Sequence, residues 1–467
     1  MKKWQTLKNL REFLQASDST RKGRFLGDRK KRISLNQILN STVFDGKVRE
    51  LAGKSVLLAA HDQLSAALAL IELDGMAGRL VLCPPGVPQP HLKAIAKYAE
   101  ADAIVIDADE PQPDFGRSIR TYRTSVAASA ERTELRDQET EWVFLTSGTT
   151  GVPKMVLHRL TSLVAPIDPA EHLEDDVVWG TFYDIRRYAG LQTFLRTLLG
   201  NGSLILAGSD ELPVDYLARL AANSVTHMNG TPSHWRRAVM CQEARGISPR
   251  YIRLSGEIPD QAILNTLRSF YPNASIGQAY GSTEVGIAFE VTDALEGFPE
   301  SFVAVAGEVE VKVENSSVWV RSPRMATRYL GPDEPPISDS SGFSDTGDIV
   351  EQRGDRYYFL GRRTGIINVG GLKVHPEEVE AQINMHPAVR MSCARPRRNP
   401  ITGSIVVADV VLQKDNDQNG PLEKIEGEIL KLCRERLPKH KVPVKLHFVS
   451  SLAVAETGKI IRQQGQA

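Results

Sequence analysis

The chain has few cysteines, and those it has stand far apart. Cys83, Cys241, Cys393 and Cys433 form no Cys-x-x-Cys pair and have no histidine-rich partner segment. Zinc sites and disulfide frameworks both need cysteines at close, paired spacings. The sequence therefore argues against a structural zinc ion and against a fold held together by disulfides.

Net charge and long apolar runs are missing as well. The 57 basic and 57 acidic residues balance to a formal net charge of zero, whereas nucleic-acid-binding proteins normally carry a basic surface. No apolar run approaches the roughly 20 residues of a membrane-spanning helix. The first residues, Met1-Lys-Lys-Trp-Gln, lack the apolar core of a signal peptide. We therefore expect a cytoplasmic protein with neither a membrane span nor a nucleic-acid partner.

The length of 467 residues predicts two or three domains. Residues 1–35 are polar and basic, which predicts a solvated arm, with a docking patch as the alternative. Short apolar segments then alternate with helical patterns, and we expect buried strands at 55–59, 80–83 and 103–106. This alternation predicts an α/β fold, in which a large N-terminal domain has parallel-rich sheets covered by helices.

The second half of the chain changes character. Residues from about 300 to 360 are rich in β-formers and broken by glycines, which predicts a small β-barrel-like subdomain. After residue 361 we expect a helix at 376–385, a strand at 404–412 and a helix at 422–437. Helical spacing predicts one buried face on that last helix, formed by Leu422, Ile425, Ile429 and Cys433. The expected domains are 1–360 and a small α+β C-terminal domain over 361–467.

Residues 144–154, Phe-Leu-Thr-Ser-Gly-Thr-Thr-Gly-Val-Pro-Lys, are the most informative stretch of the chain. Glycine lets a backbone approach an oxyanion closely, and hydroxyls with a nest of backbone N–H groups can bind phosphate oxygens. Lys154 would add a point charge. The spacing is not the Walker pattern, because Lys154 follows Gly151 by three positions. We predict a polyphosphate-binding loop, with a flexible turn after a strand as the alternative.

A second motif, Gln-Ala-Tyr-Gly-Ser-Thr-Glu, occupies residues 278–284. Tyr280 offers a flat ring for stacking on a base, Thr283 a hydroxyl for a phosphate, and Glu284 a carboxylate for Mg²⁺. Magnesium sites commonly combine one or two carboxylates with phosphate oxygens. The alternative is a strand-end turn with a buried tyrosine.

Two weaker motifs follow in the second half of the chain. Asp348 ends Ser-Asp-Thr-Gly-Asp and could accept hydrogen bonds from two vicinal ribose hydroxyls, as acidic residues do in dinucleotide sites. The alternative for Asp348 is an aspartate-rich surface turn. Lys459 ends Glu-Thr-Gly-Lys, and read alone it is most simply a solvated lysine.

Taken together, in this order and at these distances, the motifs resemble those of the adenylate-forming superfamily. That superfamily includes acyl- and aryl-CoA synthetases, adenylation domains of peptide synthetases, and luciferase-like enzymes. The resemblance covers about residues 50–462 and also includes the segments 361–380 and 458–462. It implies an ATP- and Mg²⁺-dependent ligase whose small C-terminal domain is mobile.

The resemblance implies nucleotide-binding roles residue by residue. The loop around the β- and γ-phosphates is matched by Thr146, Ser147, Gly148, Thr149, Thr150, Gly151 and Lys154. The adenine would lie along Gly256 and Glu257 and against the ring of Tyr280. The other nucleotide-binding positions of the second motif are Gln278, Ala279, Gly281 and Ser282. Asp348 and Arg362 match the ribose-binding pair.

The resemblance also implies catalytic and hinge roles. Thr283 would bind the α-phosphate, and Glu284, with Thr146, would hold Mg²⁺. Lys459 matches the lysine that reaches in from the mobile domain during adenylation, and Lys154 is the second catalytic cation. Thr364 stands at the hinge position. Gly370, Gly371 and Lys373 match the face presented to the pantetheine thiol.

We expect the acyl substrate to contact Phe182, Tyr183, Asp184, Tyr188, Gly190, Gly230 and Gly281. Aromatic side chains there favour a flat or modest apolar acid, although core packing is an equal interpretation for each ring. Asp184 matches the position where amino-acid-activating relatives bind an ammonium group. It could hold an amino group, as on an aminobenzoate, or be neutralised by Arg186 or Arg187.

The expected reaction joins a carboxylic acid to a thiol through an acyl-AMP intermediate, with release of pyrophosphate. Coenzyme A is the favoured acceptor, because Gln278 resembles acyl- and aryl-CoA synthetases more than peptide-synthetase domains. The alternative acceptor is the phosphopantetheine of an acyl carrier protein. An alternative of another class is an ATP-binding protein that never turns over.

Overall fold

The structure of the chain is a computed structural model. It describes residues 8–462 except for 17–22, 45–46, 112, 116–118, 126, 129–137, 147–151, 169–175, 201, 209, 306, 332–333, 401, 414–420 and 456–457. Among the helices of these residues, not one combines the length and the apolar character that a bilayer crossing requires.

In chain order, the described strands are β1 (Phe25–Gly27), β2 (Arg32–Ser34), β3 (Ser41–Thr42), β4 (Ser55–Leu58), β5 (Arg79–Leu82), β6 (Ala103–Asp107), β7 (Arg120–Thr124), β8 (Ala127–Ala128), β9 (Glu141–Thr146), β10 (Lys154–Arg159), β11 (Val177–Thr181), β12 (Gly202–Ile205), β13 (His227–Gly230), β14 (Tyr251–Leu254), β15 (Ser275–Ser282), β16 (Gly286–Val291), β17 (Phe298–Pro299), β18 (Glu310–Glu314), β19 (Ser317–Arg321), β20 (Arg328–Leu330), β21 (Ser344–Arg353), β22 (Arg356–Arg362), β23 (Ile367–Val369), β24 (Leu372–Val374), β25 (Val389–Asn399), β26 (Gly403–Leu412) and β27 (Lys445–Phe448).

The described α-helices are α1 (Leu10–Ala16), α2 (Leu35–Leu39), α3 (Gln63–Leu73), α4 (Gln89–Tyr98), α5 (Leu160–Val164), α6 (Tyr188–Leu199), α7 (Pro213–Ala222), α8 (Pro232–Ala238), α9 (Gln261–Phe270), α10 (Pro376–Asn384) and α11 (Leu422–Arg436).

A seven-stranded sheet contains the first predicted strands. Its order is β20-β10-β9-β5-β4-β6-β7, and the strands from β9 to β7 run parallel. Every residue of β4 is buried, and α3 is buried along nearly all of its length. Strands that are buried on both faces need cover on both sides, and near-continuous apolar runs are their signature. The predicted α/β fold with parallel-rich sheets is confirmed.

An eight-stranded sheet positions the second motif. Its order is β16-β15-β14-β13-β11-β12-β1-β2, with parallel pairing from β15 to β1 and antiparallel strands at both edges. Gly230, Leu254 and Gln278 are register neighbours on β13, β14 and β15. The loops after these three strands therefore leave the sheet side by side, at the edge where open α/β sheets bind ligands.

The predicted solvated arm over residues 1–35 is wrong for its described part. Leu10 and Leu14 of α1 and Leu26 of β1 are fully buried in the main core. The buried side chain of Arg24 donates to carbonyl groups near the end of α6. The prediction weighed the charges of this segment, whereas its leucines supply the packing free energy that fixes it to the core.

The predicted β-rich subdomain forms a five-stranded antiparallel sheet in the order β17-β22-β21-β19-β18. Its apolar core includes Phe298, Val311 and Val350. Strands β21 and β22 matter most for the site, because they carry the predicted ribose-binding residues in register with each other.

The last segment has its own apolar core, formed by α10, α11 and the sheet β25-β26-β27. Ile425, Ile429 and Cys433 of α11 are buried as predicted. The prediction that Leu422 is buried is wrong, because 53% of its surface is exposed. Leu422 is the first residue of α11, one turn beyond the edge of the core. The predicted boundary at residue 361 lies at the end of β22 and stays a prediction.

Candidate active site

The two ends of the phosphate-loop motif are held together by a hairpin. Thr146 and Lys154 are register partners on β9 and β10. Lys154 Nζ donates to Glu334 Oε2 at 2.7 Å and lies 5.0 Å from the centre of the Tyr329 ring. The predicted phosphate ligands between them, Ser147, Gly148, Thr149, Thr150 and Gly151, lie outside the described residues.

The predicted ribose pair and the predicted adenine ring meet at one place. Asp348 and Arg362 are register partners on β21 and β22, and Arg362 Nε donates to Asp348 Oδ1 at 3.2 Å. The Tyr280 hydroxyl donates to Asp348 Oδ2 at 2.8 Å. Burial raises the pKa of Tyr280, and the charge of Asp348 acts in the same direction, so the hydroxyl keeps its proton. Asp348 thus links its own motif to Tyr280, which is 68 residues away in the chain.

The ring of Tyr280 also packs against two phenylalanine rings. The Phe289 ring is stacked on it at 5.0 Å between centroids, and the Phe359 ring is tilted against it at 4.9 Å. These contacts fix the ring in the five-stranded subdomain's core. The adenine-stacking role of Tyr280 stays a prediction.

A histidine that the sequence analysis did not single out holds the turn after β15. His158 Nε2 lies 2.6 Å from the carbonyl oxygen of Thr283, and Nδ1 lies 2.9 Å from Ser162 Oγ. Burial lowers the pKa of His158 to about 4, so the ring is neutral near pH 7. Because a carbonyl can only accept, Nε2 of the neutral ring carries the proton, while the Ser162 hydroxyl donates to the carbonyl of Arg159 at 2.9 Å. His158 therefore fixes the backbone of Thr283, one residue before Glu284.

Glu284 presents a hard oxygen ligand at the same turn. Its Oε1 accepts from the Tyr329 hydroxyl at 3.4 Å, and Arg362 is close enough for their charges to interact. The described residues contain no group of three or more His, Cys, Asp or Glu side chains that could enclose a metal ion. A single carboxylate fits Mg²⁺ only where phosphate oxygens complete the coordination.

The C-terminal tail returns to the large domain at Glu257. Glu257 Oε2 accepts from the N–H of Ser233 at 2.9 Å, and Oε1 accepts from the N–H of Ile460 at 3.2 Å. The Thr231 hydroxyl donates to the carbonyl of Gly458 at 3.3 Å. The two contacts with the tail join residues that are more than 200 positions apart in the chain.

The docked tail brings Lys459 to the predicted nucleotide site. A Cβ atom on Gly256 would lie 3.6 Å from Lys459 Cε. Although the lysine keeps contact with solvent, desolvation by the surrounding protein lowers its pKa, and the Arg362 charge acts in the same direction. The carboxylates of Glu257 and Asp348 oppose this shift. Both positive and negative charges therefore surround the Lys459 ammonium group, next to the residues predicted to bind adenine and ribose.

Gly458 meets a rigid part of the large domain. A Cβ atom on Gly458 would lie far inside 3.0 Å of the His234 ring. The His234 ring is stacked on Phe182 at 5.3 Å, and its Nδ1 accepts from the N–H of Thr231 at the start of α8. Burial lowers the pKa of His234 to about 3, so it is a neutral structural group.

Several predicted acyl-contact residues converge beside this tail. A Cβ on Gly230 would lie 2.6 Å from the Phe182 ring, so the glycine lets the ring approach the sheet. The Tyr183 hydroxyl donates to the carbonyl of Ser255 at 2.7 Å, next to Gly256. Gly281 packs equally closely against the following strand. Phe182, Tyr183 and Gly230 thus lie together around His234, and the substrate-contact role of all four residues stays a prediction.

Asp184 is paired with Arg186, which was one of the two predicted alternatives. Arg186 donates from Nε to Asp184 Oδ1 at 2.7 Å and from Nη2 to Oδ2 at 2.5 Å. Burial acts to raise the pKa of Asp184, but the charge and hydrogen bonds of Arg186 outweigh it and the pKa is lowered. Gly190 packs closely against the backbone of this segment, because a Cβ there would lie 2.9 Å from Ile185 Cα.

The predicted thiol-facing residues lie on a separate turn. Gly370 and Gly371 connect β23 and β24, and the Gly370 N–H donates to the carbonyl of Thr402 at 2.9 Å. Lys373 is exposed on β24. Thr364 lies in the short turn Arg363–Gly365, between the five-stranded sheet and this hairpin.

Comparison with known families accounts for this arrangement. Residues 52–330 match the model of the AMP-binding enzyme, and residues 378–459 match the AMP-binding enzyme C-terminal domain. The chain belongs to the AMP-binding enzyme family. The predicted resemblance to adenylate-forming enzymes is thereby confirmed.

Curated relatives of this AMP-binding enzyme carry ligase and synthetase names. Acyl-coenzyme A synthetase ACSM2A, mitochondrial, of Homo sapiens is 26% identical over 70% of this chain and 61% of its own length. 4-coumarate–CoA ligase 1 of Glycine max is 25% identical over 47% of this chain and 80% of its own. 2-succinylbenzoate–CoA ligase of Staphylococcus epidermidis is 23% identical over 69% of this chain and 68% of its own. The chain thus spans about three fifths of the first of these relatives.

Solved structures share the fold of this AMP-binding enzyme. The anthranilate CoA ligase AuaEII in complex with anthranoyl-AMP has a TM-score of 0.79 at 17% identity, over 97% of this chain and 95% of its own. The amide bond synthetase McbA from Marinactinospora thermotolerans has a TM-score of 0.76 at 20% identity, over 97% and 98%.

Proposed function

We propose that this AMP-binding enzyme is an AMP-forming carboxylic acid–CoA ligase. It activates an acyl or aryl acid as acyl-AMP, releases pyrophosphate, and transfers the acyl group to the thiol of coenzyme A. The observation that carries the proposal is the position of Lys459. The tail brings this cation close to Gly256 and within electrostatic range of Asp348 and Arg362, where a nucleotide's ribose and α-phosphate would lie.

The adenylation step needs positioning rather than a protein nucleophile. The substrate carboxylate oxygen attacks the α-phosphorus of ATP, the bond to the β-phosphate breaks, and pyrophosphate leaves. Catalysis then consists of holding the two reactants in line and stabilising the charge that develops on phosphate. Lys459 and Lys154 would supply the positive charge for this. Removing one such donor costs about 3–4 kcal/mol in comparable charge-stabilising sites.

The second motif would bind the phosphate end of the nucleotide. Thr283 offers its hydroxyl to the α-phosphate, and His158 holds its carbonyl so that this turn stays in place. Glu284 and Thr146 would hold Mg²⁺, which neutralises charge on the phosphates when bound. Gln278, Ala279, Gly281 and Ser282 complete the strand that runs along the nucleotide.

The thioester step requires the C-terminal segment to turn. The thiolate attacks the acyl carbon of the mixed anhydride, and AMP leaves. Gly370, Gly371 and Lys373 would then replace Lys459 at the site, and the turn containing Thr364 would absorb the rotation. The contacts of Glu257 and Thr231 with the tail support the arrangement that serves adenylation.

Coenzyme A is the proposed acceptor because the curated relatives named above are CoA ligases and a CoA synthetase. A carrier protein's phosphopantetheine is the second candidate, and an ATP-binding protein without turnover is the third. The test incubates the purified protein with ATP, Mg²⁺ and a broad panel of carboxylic acids, and it measures pyrophosphate and AMP. Coenzyme A and holo-carrier proteins are then titrated as acceptors.

Acid-dependent release of pyrophosphate, followed by AMP release with coenzyme A, is the expected result. Formation of ADP alone, or no acid-dependent pyrophosphate, would refute the proposal. Lys459→Ala should lose adenylation but still convert preformed acyl-AMP to the thioester. Lys439→Ala is the matched control, because Lys439 is exposed in the same domain and both half-reactions should survive its loss. Equal loss of both half-reactions in Lys459→Ala would contradict the role given to Lys459.

A further inference from the structure

Both oxygens of the Asp184 carboxylate are already bonded to Arg186. Besides its two side-chain bonds to Arg186, it accepts from the backbone N–H of Arg186 at 2.8 Å. The Arg186 side chain is fully buried and also donates to the carbonyl of His61 at 3.2 Å. An ammonium group at Asp184 would leave this buried guanidinium without its counter-charge, which is strongly unfavourable.

One face of α6 carries polar atoms into the interior next to the acyl-contact residues. Tyr188 and Gln192 are four residues apart and therefore share a helix face. The Tyr188 hydroxyl is bonded to the backbone of Ile287. Gln192 Oε1 is buried and has no hydrogen bond within the described structure, and the same holds for Asn229 Oδ1 on β13. Native interiors leave few polar atoms in this state, and a ligand or ordered water normally satisfies them.

A guanidinium stands behind the Gly281 turn. A Cβ on Gly281 would lie 2.9 Å from Ile287 Cα, and one on Gly286 would lie 2.8 Å from Arg324 Cβ. Arg324 Nη1 donates to the carbonyl of Ile287 at 2.8 Å, while its Nε is buried and makes no hydrogen bond in the described residues. Arg324 therefore lies behind Gly281, a predicted acyl-contact residue. Its Nε–H is a hydrogen-bond donor without a partner among the described residues.

The charge around this face of α6 is positive. Burial raises the pKa of the Tyr188 hydroxyl, and the charges of Arg324, Arg253 and Arg196 all oppose that rise, so three guanidinium groups act on one hydroxyl. Glu290 pairs with Arg253 at 2.8 Å, and Glu308 is 3.7 Å from Arg324. Two carboxylates thus face three cations. A positive interior disfavours an ammonium group and favours a carboxylate or a polarised hydroxyl.

We infer that the acid activated by this protein carries a second oxygen function, a hydroxyl or a carboxylate, and no amino group. A hydroxyl would donate to Gln192 Oε1 or Asn229 Oδ1 and accept from Arg324 Nε, and a carboxylate would accept from Arg324 Nε. The inference rests on the proposed ligase activity and names its substrate class. It selects against the aminobenzoate-type acid that Asp184 alone suggested.

The test compares acids that share one carbon skeleton. Benzoate, meta-hydroxybenzoate, isophthalate and meta-aminobenzoate form one series, and hexanoate, adipate and 6-aminohexanoate form the aliphatic one. Acid-dependent pyrophosphate release gives kcat/KM for each. We expect the best hydroxy or dicarboxylic acid to exceed its parent and its amino analogue by roughly 10-fold or more, since sites built to bond a substrate oxygen reject analogues that lack it. The hydroxyl and carboxylate members show which oxygen function is bound.

Two variants separate this inference from general damage. Arg324→Met and Gln192→Leu should each remove most of the advantage of the oxygen-bearing acid while changing kcat/KM for the parent acid by less than about threefold. Arg321→Met is the matched control, because Arg321 pairs with Glu310 on the surface of β19, and it should leave the ratio unchanged.

The outcomes are distinct. A preference for the parent or the amino acid in the natural protein would overturn the substrate class while leaving the ligase activity intact. A ratio that both variants leave unchanged would overturn the role given to Arg324 and Gln192. Absence of pyrophosphate with every acid would overturn the ligase activity, and this inference with it.

Discussion

Replacing Gly458 with alanine should block the docking of the tail without touching any group that reacts. The added methyl would collide with the His234 ring. The ring has little room to move, since it is stacked on Phe182 and bonded to Thr231 at the start of α8. The tail must therefore move away, and Lys459, the next residue, moves with it.

The magnitude follows from the contacts that the tail would lose. The bond from Thr231 to the Gly458 carbonyl is neutral and contributes about 0.5–1.5 kcal/mol, and the bond from Ile460 to the Glu257 carboxylate contributes about 1.5–3 kcal/mol. Together they stabilise the docked state by about 2–4.5 kcal/mol. Adenylation should therefore slow roughly 30-fold to 2000-fold.

Gly403→Ala is a matched control for backbone strain. Gly458 has φ of +76° and Gly403 has φ of +72°, so alanine costs about 1–2 kcal/mol at either position. A Cβ on Gly403, however, meets nothing within 4 Å. Gly403→Ala should therefore adenylate at nearly the natural rate.

Both half-reactions should be measured for each variant. Pyrophosphate exchange reports adenylation, and preformed acyl-AMP with coenzyme A reports thioester formation. Gly458→Ala should lose the first and keep the second. If Gly403→Ala and Gly458→Ala slow adenylation equally, strain rather than collision with His234 is responsible, and the reasoning fails.

Three further predictions concern stability and docking. Asn384 Nδ2 donates to Asp260 Oδ2 at 2.9 Å across the two domains. Asn384→Ala should therefore slow pyrophosphate exchange roughly 10-fold or more and leave the thioester half-reaction unchanged. A loss confined to the thioester half-reaction would contradict this role. His158 is neutral when folded, with a pKa of about 4 against 6.5 when unfolded, so its stabilisation is complete above pH 6.5 and falls as the pH drops towards 4. Between pH 7 and pH 5, the free energy of unfolding in urea should therefore fall by about 2 kcal/mol less in His158→Gln than in the natural protein. If the free energies of unfolding of the two proteins show the same pH dependence, the assignment is refuted. Asp184→Ala should destabilise the fold by about 3–5 kcal/mol, because it leaves Arg186 buried and unpaired; an unchanged Tm would show that the guanidinium finds another partner.

Local sequence was enough where a motif and its structural element coincide. Asp348 and Arg362 could be named from their motifs, and the hairpin of β21 and β22 then sets them side by side. Thr146 and Lys154 are joined in the same way by β9 and β10. In such cases the register of one hairpin fixes the geometry, so the sequence carries nearly all of the information.

Contacts between distant segments were beyond local reasoning. His158 escaped notice because its partner, the Thr283 carbonyl, is 125 residues away, and a lone histidine on a strand gives no signal of its own. The buried leucines near the N-terminus were hidden by the charges around them, since nothing local shows the surface against which α1 packs. The choice between a substrate amine and Arg186 as the partner of Asp184 likewise depended on side-chain positions that spacing does not determine.

The ion pair between Lys154 and Glu334 reduces the binding free energy that a nucleotide would gain from this lysine. If Lys154 binds phosphate as proposed, an arriving phosphate exchanges one anionic partner for another, so the free energy of the contact is the difference between two ion pairs. After cleavage, the same carboxylate would recapture the ammonium group as pyrophosphate departs. Glu334 would thereby weaken the binding of both the nucleotide and pyrophosphate, which would favour rapid turnover over tight binding.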